Sequence, residues 1–372
     1  MRSTAVRRTM AGTRAHRRLL VVAGLLALVT ACGDQTPGPT AVPSTPTPTA
    51  TPATSGSGPA SNLKPMLHGL IDRDGPAAAA FSGVVSNFVV NVHWSDIQPA
   101  PGPLVSNNAI DRAIVVARQM NATSGHASVG IKIRFYAGVD APNWVKQLAG
   151  GPVQVVSGSL TGTVGRFWTD AFGAAYTDVW TRMAQKYDSV PEIREITVSR
   201  CMTFYAETMI RDTEDAVTGQ NLLNAGYTMA ADKACITQEI DLGTVWLTTR
   251  IGVAFNPYQL VVPGIHISDE FYTEQVMQHC RSQLGAQCVL ENNSIRFPLQ
   301  AGLYQQMYAA MIRLGAPLSF QTAALSRVGD LTQTLNWAVT VGANAVELPK
   351  GYTALPTATL ASIAAALPAS ST

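Results

Sequence analysis

The sequence predicts an α/β protein, a single (β/α)8 barrel of the TIM type that follows a signal peptide and a disordered linker. Across residues 62–372, short β-branched or aromatic runs alternate with longer helical patterns, as expected for βα units around a parallel sheet. Eight runs are strand-like, the number that closes such a barrel. The alternative is a doubly wound open sheet, which the lack of a Gly-rich phosphate loop after the first strand disfavours.

The first 31 residues have the features of an export signal. Six arginines and no acidic residue occupy the first eighteen positions, and residues 19–30 form an apolar run. A helix of that length is too short to cross the hydrocarbon core, which requires about 20 residues. The segment is therefore predicted to be a signal peptide and not a stable transmembrane helix.

The sequence LVTAC at 28–32 resembles a bacterial lipobox, in which small residues precede a cysteine that is lipidated and becomes the mature N-terminus. This resemblance implies that Cys32 anchors the protein in the lipid bilayer, on the extracellular face of the bacterial cytoplasmic membrane. Several acyl chains make such an anchor stable. The alternative is a free cysteine at the end of an ordinary signal.

Residues 32–61 join this cysteine to the folded domain, 62–372. The segment consists mainly of Thr, Pro, Ser, Ala and Gly, with Asp34 as its single charge. It has too little apolar surface to offset the entropy of ordering, so it is predicted to be an extended, disordered linker.

Composition excludes a nucleic-acid partner. Charged residues make up 13% of the chain, hydrophobic residues 47%, and the formal net charge is +2. The basic residues are scattered, and much of the arginine excess lies in the signal, so no basic surface stripe is indicated.

Four cysteines remain after Cys32: Cys201, Cys235, Cys280 and Cys288. An even number in an exported protein favours disulfides. Of the three connectivities, we favour Cys201 with Cys235 and Cys280 with Cys288, because each pair brackets one element and its neighbour. A zinc site is the weaker interpretation, since there is no CxxC spacing.

The strands and helices follow in order along the domain. The predicted strands are 66–71, 88–92, 130–136, 193–199, 250–255, 288–290, 318–321 and 345–348. The predicted helices are 110–120, 167–187, 222–240, 270–284, 304–314, 331–341 and 358–367. Gly315 and Gly342 stand just past two of these helices, where a left-handed C-cap is expected.

The segment NVHWSDIQPAPG at 91–102 resembles the Trp-x-x-x-Glu-Pro-x-x-Gly stretch of clan A glycoside hydrolases, with Gln98 in place of Glu. The segments RFYAG at 134–138 and APNW at 141–144 are similar to the same enzymes. This resemblance implies a general acid/base at the end of the fourth strand. Glu207 is the first carboxylate there, although Ala206 replaces the Asn of the usual Asn-Glu pair.

The resemblance also implies a nucleophilic Glu at the end of the seventh strand, where this chain has Gln321. A neutral amide cannot form the glycosyl ester of a retaining mechanism. Gln321 is therefore expected to bind substrate. Glu291, after the sixth strand, and Glu347, after the eighth, are the remaining candidate catalytic carboxylates, with a rim ion pair as the alternative role for either.

Polar and aromatic residues on the same predicted face form a candidate carbohydrate site, because aromatic rings stack on sugars and polar groups bind hydroxyls. The candidate substrate-binding residues are Trp94, Asp96, Arg134, Tyr136, Trp144, Tyr205, Asn256 and Gln321. No nucleophile elbow or metal-ligand spacing is found, so no metal and no organic cofactor are predicted.

Three functions remain open. The favoured one is a surface-anchored glycoside hydrolase acting on extracellular oligosaccharide or polysaccharide by carboxylate acid/base catalysis. The second is a non-catalytic carbohydrate-binding barrel, which Gln321 favours. The third is the solute-binding lipoprotein of a transporter, which would have two lobes in place of one closed barrel.

Overall fold

The computed structural model describes residues 62–123 and 128–369. The predicted signal peptide (1–31), the linker (32–61) and the lipidation site Cys32 lie outside the described residues. None of the described helices is long and apolar enough to cross a membrane.

Eight parallel strands close into a barrel, which confirms the predicted fold class. In chain order, as strands 1 to 8, they are Gly69–Asp72, Val85–His93, Ile131–Tyr136, Ile193–Thr197, Arg250–Ala254, Cys288–Ile295, Leu318–Thr322 and Ala345–Leu348. Strand 1 pairs with strand 8 and with strand 2, which completes the ring. A closed ring is neither an open doubly wound sheet nor a pair of lobes, so both alternatives are excluded.

Helices surround the barrel between successive strands from strand 2 onward, and a last helix follows strand 8. They are Ala109–Thr123, Asp170–Tyr187, Ala216–Asn224, Met229–Asp241, Glu270–Leu284, Leu303–Leu314, Leu331–Thr340 and Thr357–Ala366, with short helices at Trp94–Ile97 and Asn143–Lys146. Residues at helical spacing, such as Phe172, Tyr176, Val179 and Met183, are buried against the strands. Gly315 and Gly342 have the positive φ that was predicted, 74° and 78°, but a ψ of −172° places Gly315 outside the left-handed helical region.

The predicted helix 222–240 is wrong in its extent, because the segment forms two helices. Gly226 has φ of 86° and ends the first one. Thr228 then caps the second by accepting a hydrogen bond from Ala231 N at 3.1 Å. Left-handed glycine followed by an N-cap threonine is a stop and start signal that outweighs the apolar periodicity.

Two antiparallel hairpins were not predicted. Val153–Ser157 pairs with Leu160–Val164 after strand 3, and Tyr258–Val262 pairs with Ile265–Asp269 after strand 5. Gly158 and Gly264 supply the positive φ needed in the two turns, at 60° and 73°. Both hairpins extend the loops at the carboxyl ends of the strands.

The two predicted disulfides are present. Cys280–Cys288 joins helix Glu270–Leu284 to the start of strand 6. Cys201–Cys235 joins the chain just after strand 4 to helix Met229–Asp241, and closes a segment with a sequence separation of 34. This second bond fixes the first residues of the loop that carries Glu207.

Side chains alternate across the barrel wall. On strand 3, Ile131, Ile133 and Phe135 face outward into the main hydrophobic core between strands and helices. Lys132 and Arg134 alternate with them and therefore face the lumen. The chain thus places two cations inside the barrel, and their partners determine what the lumen can do.

Candidate active site

A cavity of about 570 Å³ opens at the carboxyl ends of the strands, the face on which TIM-barrel active sites lie. It lies within the size range of small-molecule sites. Its polar lining includes Arg73, Tyr205, Glu207, Asp212, Glu214, Asn256, Asn293, Arg296, Tyr304, Gln321 and Arg327. We call this space the mouth cavity.

Glu207 is half-buried in the mouth cavity. Asn256 Nδ2 donates a hydrogen bond to Glu207 Oε2 at 3.3 Å. Burial raises the pKa of Glu207 to about 7, although a hydrogen bond from Asn293 and the charge of Arg134 act in the opposite direction. A carboxyl group with this pKa exchanges protons near neutral pH, as a general acid or base must.

Polar contacts hold the Glu207 loop on both sides. Glu239 Oε2 accepts hydrogen bonds from Arg200 N at 2.7 Å and Cys201 N at 3.1 Å, and Glu239 Oε1 accepts one from the hydroxyl of Thr208. Gln259 Oε1 accepts hydrogen bonds from Arg211 N at 2.7 Å and Asp212 N at 3.0 Å. The backbone of Glu207 is therefore positioned by its neighbours and does not depend on a ligand for its order.

A buried ionic cluster fills the lumen. Lys132 Nζ lies 3.0 Å from Glu195, 2.6 Å from Glu291 and 2.9 Å from Glu347. The three carboxyl groups come from strands 4, 6 and 8, so they form one layer of alternate strands, as in other barrels of this type. Each of the four residues is 1% exposed. We call this group the lumen cluster.

Room for the lumen cluster depends on Gly252 of strand 5. A Cβ at this position would lie 2.2 Å from Glu291 Oε1. Any larger residue would therefore displace the Glu291 side chain.

Protonation differs within the lumen cluster. Burial raises the pKa of Glu347, but the charges of Arg134 and Lys132 together have the larger effect and lower this pKa to about 2. Burial raises the pKa of Glu291 well above its usual value against the charge of Lys132, and neighbouring Glu195 adds to the rise. Two cations thus face three carboxyl groups, and Glu291 is the one whose pKa burial raises above its usual value.

Two of the predicted catalytic carboxylates, Glu291 and Glu347, belong to this cluster and do not line the mouth cavity. Glu347 also accepts a hydrogen bond from Arg134 Nη2. Arg134, which was predicted to bind substrate, therefore lies beside the lumen cluster. Arg134 is 5% exposed. The structure therefore does not bring Glu291 or Glu347 together with Glu207 in the mouth cavity.

Three of the predicted substrate-binding residues do line the mouth cavity with Glu207. Tyr205 is 45% exposed and presents its ring on the cavity wall. Asn256 is bonded to Glu207, and Gln321 Nε2 donates to Asn293 O at 3.0 Å. An aromatic ring and two amides therefore accompany the acid.

The remaining predicted ligand residues lie elsewhere. Trp94 is fully buried, and its Nε1 donates to Gln98 Oε1 at 2.9 Å. Trp144 packs edge-on against Trp94, with ring centroids 6.2 Å apart. Tyr136 stacks on His93, and Asp96 is exposed outside the cavity lining. The segment 91–102 therefore serves mainly to pack the loop after strand 2.

Several cavity residues were not anticipated. Asn293 follows the predicted carboxylate Glu291 by two residues on strand 6, so period-two alternation along a longer strand would have found it. Tyr304 OH donates to Asn256 Oδ1 at 3.1 Å. Arg73, Arg296 and Arg327 follow strands 1, 6 and 7, and their position after a strand end was the available signal.

No group of three or more His, Cys, Asp or Glu side chains within 62–123 and 128–369 is arranged to hold a metal ion.

Comparisons with known proteins show similarity in fold. No protein-family model matches the chain, and no curated protein matches it. The catalytic domain of β-amylase from Paenibacillus polymyxa aligns with a TM-score of 0.51 and 12% identity, over 81% of this chain and 99% of that one. At this identity the similarity shows a shared barrel fold.

Two further solved structures align less well. Endo-glycoceramidase II from Rhodococcus sp., in its cellobiose-like imidazole complex, has a TM-score of 0.47 and 12% identity, over 78% of this chain and 75% of that one. β-Galactosidase from the psychrophilic Marinomonas ef1 has a TM-score of 0.45 and 11% identity, over 75% of this chain and 53% of that one.

Replacing Lys132 with Met should destabilise the barrel, because three buried carboxyl groups would lose their shared partner. Breaking a buried ion pair from one side costs about 3–5 kcal/mol. The measurement is the free energy of unfolding in urea. Lys186→Met is the matched control, since Lys186 pairs with Asp111 at the surface at 2.8 Å, and such pairs contribute about 1 kcal/mol or less. Equal losses in the two variants would contradict the assigned role of the lumen cluster.

Proposed function

We propose that the protein is a glycoside hydrolase-like barrel that binds extracellular carbohydrate in the mouth cavity, with Glu207 as the proton donor. The observation that carries this proposal is the environment of Glu207: a carboxyl group with a pKa of about 7 in a polar cavity at the carboxyl ends of the strands. A general acid near neutral pH requires both features.

In the proposed reaction, protonated Glu207 donates its proton to the glycosidic oxygen as the bond from that oxygen to the sugar carbon breaks. Asn256 and Asn293 then stabilise the carboxylate that forms, since their amides hydrogen-bond to Glu207 and lower its pKa. Tyr304 positions Asn256. The Tyr304 hydroxyl donates a hydrogen bond to Asn256 Oδ1, so that Asn256 Nδ2 is directed at Glu207.

Water is the proposed nucleophile, because Gln321 stands where a retaining enzyme of this kind would carry a carboxylate. The water oxygen bonds to the sugar carbon as the glycosidic bond breaks, and a base takes the proton of the water. The candidate bases are Asp212 and Glu214, which line the mouth cavity with Glu207. Burial raises the pKa of Asp212, and a hydrogen bond from Thr203 opposes the rise. An inverting mechanism needs a separation of about 6.5–9.5 Å between acid and base, to leave room for the water.

Carbohydrate recognition is proposed to use the cavity wall. The exposed ring of Tyr205 offers a face for stacking on a sugar, and the amides of Gln321, Asn256 and Asn293 pair with hydroxyl groups. These side chains support carbohydrate binding whether or not the sugar is hydrolysed.

The second candidate function is carbohydrate binding without catalysis. It is favoured by the amide of Gln321 and by the burial of Glu291 and Glu347 in the lumen cluster, which together leave no strand-end carboxylate opposite Glu207 on strands 6 to 8. The barrel would then keep the sugar site and lack a nucleophile or base.

Glu207→Gln should reduce turnover of natural oligosaccharides by about 10²–10⁴-fold, the usual contribution of a general acid, and leave their binding intact. Turnover by the unchanged protein should also fall as the pH rises through about 7, because the donor loses its proton there. A panel of oligosaccharides, with product detection and calorimetry, measures both quantities. Glu274→Gln, on the outer surface, is the matched control.

Two outcomes are decisive for this assignment. If the unchanged protein binds oligosaccharides and turns none over, the binding function is correct. If Glu207→Gln hydrolyses natural substrates at the original rate, Glu207 is not the acid.

We also propose that Cys32 anchors the protein at the extracellular face of the cytoplasmic membrane. The support is the sequence LVTAC at 28–32 and the apolar run before it. The linker 32–61 would then hold the barrel away from the bilayer, where polymeric substrate is accessible.

Cys32→Ala should move the protein from the membrane fraction into the soluble fraction. The reason is the loss of the acyl chains, each buried methylene of which contributes about 0.8 kcal/mol to membrane binding. Fractionation in high salt, followed by immunoblotting, measures the distribution. Cys32→Ala protein that stays in the membrane fraction would rule out the anchor.

A further inference from the structure

The mouth cavity has walls of opposite charge. Glu207, Asp212 and Glu214 belong to the loop after strand 4. Three arginines of the lining follow other strands: Arg73 follows strand 1, Arg296 strand 6 and Arg327 strand 7. Strands 1, 8, 7 and 6 are consecutive in the ring, and strand 4 lies opposite strand 8. The arginines therefore occupy the arc facing the acidic loop.

None of these three arginines has a carboxylate within 4.0 Å in the part of the chain that the structure describes, whereas Arg118, Arg182, Arg211 and Arg313 each form such a pair. The charged groups that act on Arg73 from a longer distance are Glu347, Arg134 and Asp74. Three cations are thus brought to one wall without direct counter-charges.

Arg73 is held in place by neutral partners. Its Nε donates to Leu348 O at 3.0 Å, and its Nη2 donates to Thr322 O. Arg296 Nη2 lies 3.1 Å from the Gln300 amide, in the amide orientation that satisfies both groups. Backbone carbonyls and an amide orient these guanidinium groups but do not neutralise them. Burial lowers the pKa of Arg73, which is the sign of a cation that has lost water without gaining a full partner.

Resting on the proposed function, we propose that the ligand is an acidic sugar chain whose anionic substituent, a carboxylate, sulfate or phosphate, binds the wall formed by Arg73, Arg296 and Arg327. Guanidinium groups bind planar and tetrahedral oxyanions through paired hydrogen bonds. The opposite wall repels the same substituent. One orientation is therefore selected, with the anionic group on the arginine wall and the neighbouring glycosidic bond toward Glu207.

A neutral sugar would fit the cavity less well. Its hydroxyl groups can accept hydrogen bonds from arginine, but they bring no negative charge to the three cations of this wall, of which Arg73 is partly desolvated. Binding an anion there supplies an opposite charge as well as forming hydrogen bonds. The chemistry of the wall therefore discriminates acidic from neutral sugars of the same shape.

The test is calorimetric binding to the full chain in detergent. The acidic ligands are oligomers of glucuronate, galacturonate and mannuronate, together with sulfated and phosphorylated oligosaccharides. Their neutral counterparts are the uronate oligomers after reduction of the carboxylates to alcohols, and the oligosaccharides without sulfate or phosphate. The three groups of acidic ligands distinguish carboxylate, sulfate and phosphate. We expect at least one acidic ligand to bind about tenfold or more tightly than its neutral counterpart at low salt, with the difference shrinking at high salt.

Arg296→Gln and Arg327→Gln should each weaken binding of that acidic ligand by about tenfold, as expected for loss of a charge-assisted hydrogen bond, and should leave binding of its neutral counterpart unchanged. Arg313→Gln, which removes the same charge at a surface pair with Glu274, should change neither. Circular dichroism checks that all three variants are folded.

The outcomes separate this inference from the proposed function. If neutral oligosaccharides bind as tightly as acidic ones, or if Arg313→Gln weakens acidic binding as much as Arg296→Gln and Arg327→Gln, the acidic-sugar inference fails and carbohydrate binding in the mouth cavity stands. If no oligosaccharide in either group binds, both fail.

Discussion

The ionic contacts of Lys132 are the constraint on which the rest of the barrel depends. One ammonium group on strand 3 contacts carboxyl groups from strands 4, 6 and 8. Burying such charges is costly unless each has a partner, so the strands must keep the positions that bring these four groups together. Gly252 provides the space for Glu291, and Arg134 provides the second cation.

This constraint also determines where chemistry can occur. Glu291 and Glu347 are committed to the lumen cluster, so the available acid is Glu207, in the loop after strand 4. That loop is ordered by Glu239, Gln259 and the Cys201–Cys235 disulfide. The loop is long enough for Glu207 to reach the mouth cavity, where burial raises the pKa of the Glu207 carboxyl group. The proposed function thus follows from a division between a closed ionic interior and an open polar mouth.

The sequence predicted the barrel strands and most helices well, but it missed both antiparallel hairpins and the contacts between distant residues. All eight strands, seven helical segments and both disulfides rest on short-range patterns, and only the helix 222–240 was split by Gly226. The lumen cluster was not anticipated, because its contacts join residues as far apart as Lys132 and Glu291, separated by 159 positions. The alternation of side chains along a strand shows that Glu291 and Glu347 can face the lumen, but it does not show how far they lie from the mouth of the barrel. Trp94 looked like a sugar platform because it follows strand 2, yet it turns outward into the core.

A crystal structure of the protein with a bound, uncleaved oligosaccharide would test whether Glu207 is the acidic group of a carbohydrate site in the mouth cavity. We expect a glycosidic oxygen about 2.6–3.2 Å from a Glu207 carboxyl oxygen, the reach of a general acid. An oligosaccharide bound elsewhere on the barrel, or one in the mouth cavity without contact to Glu207, would contradict it.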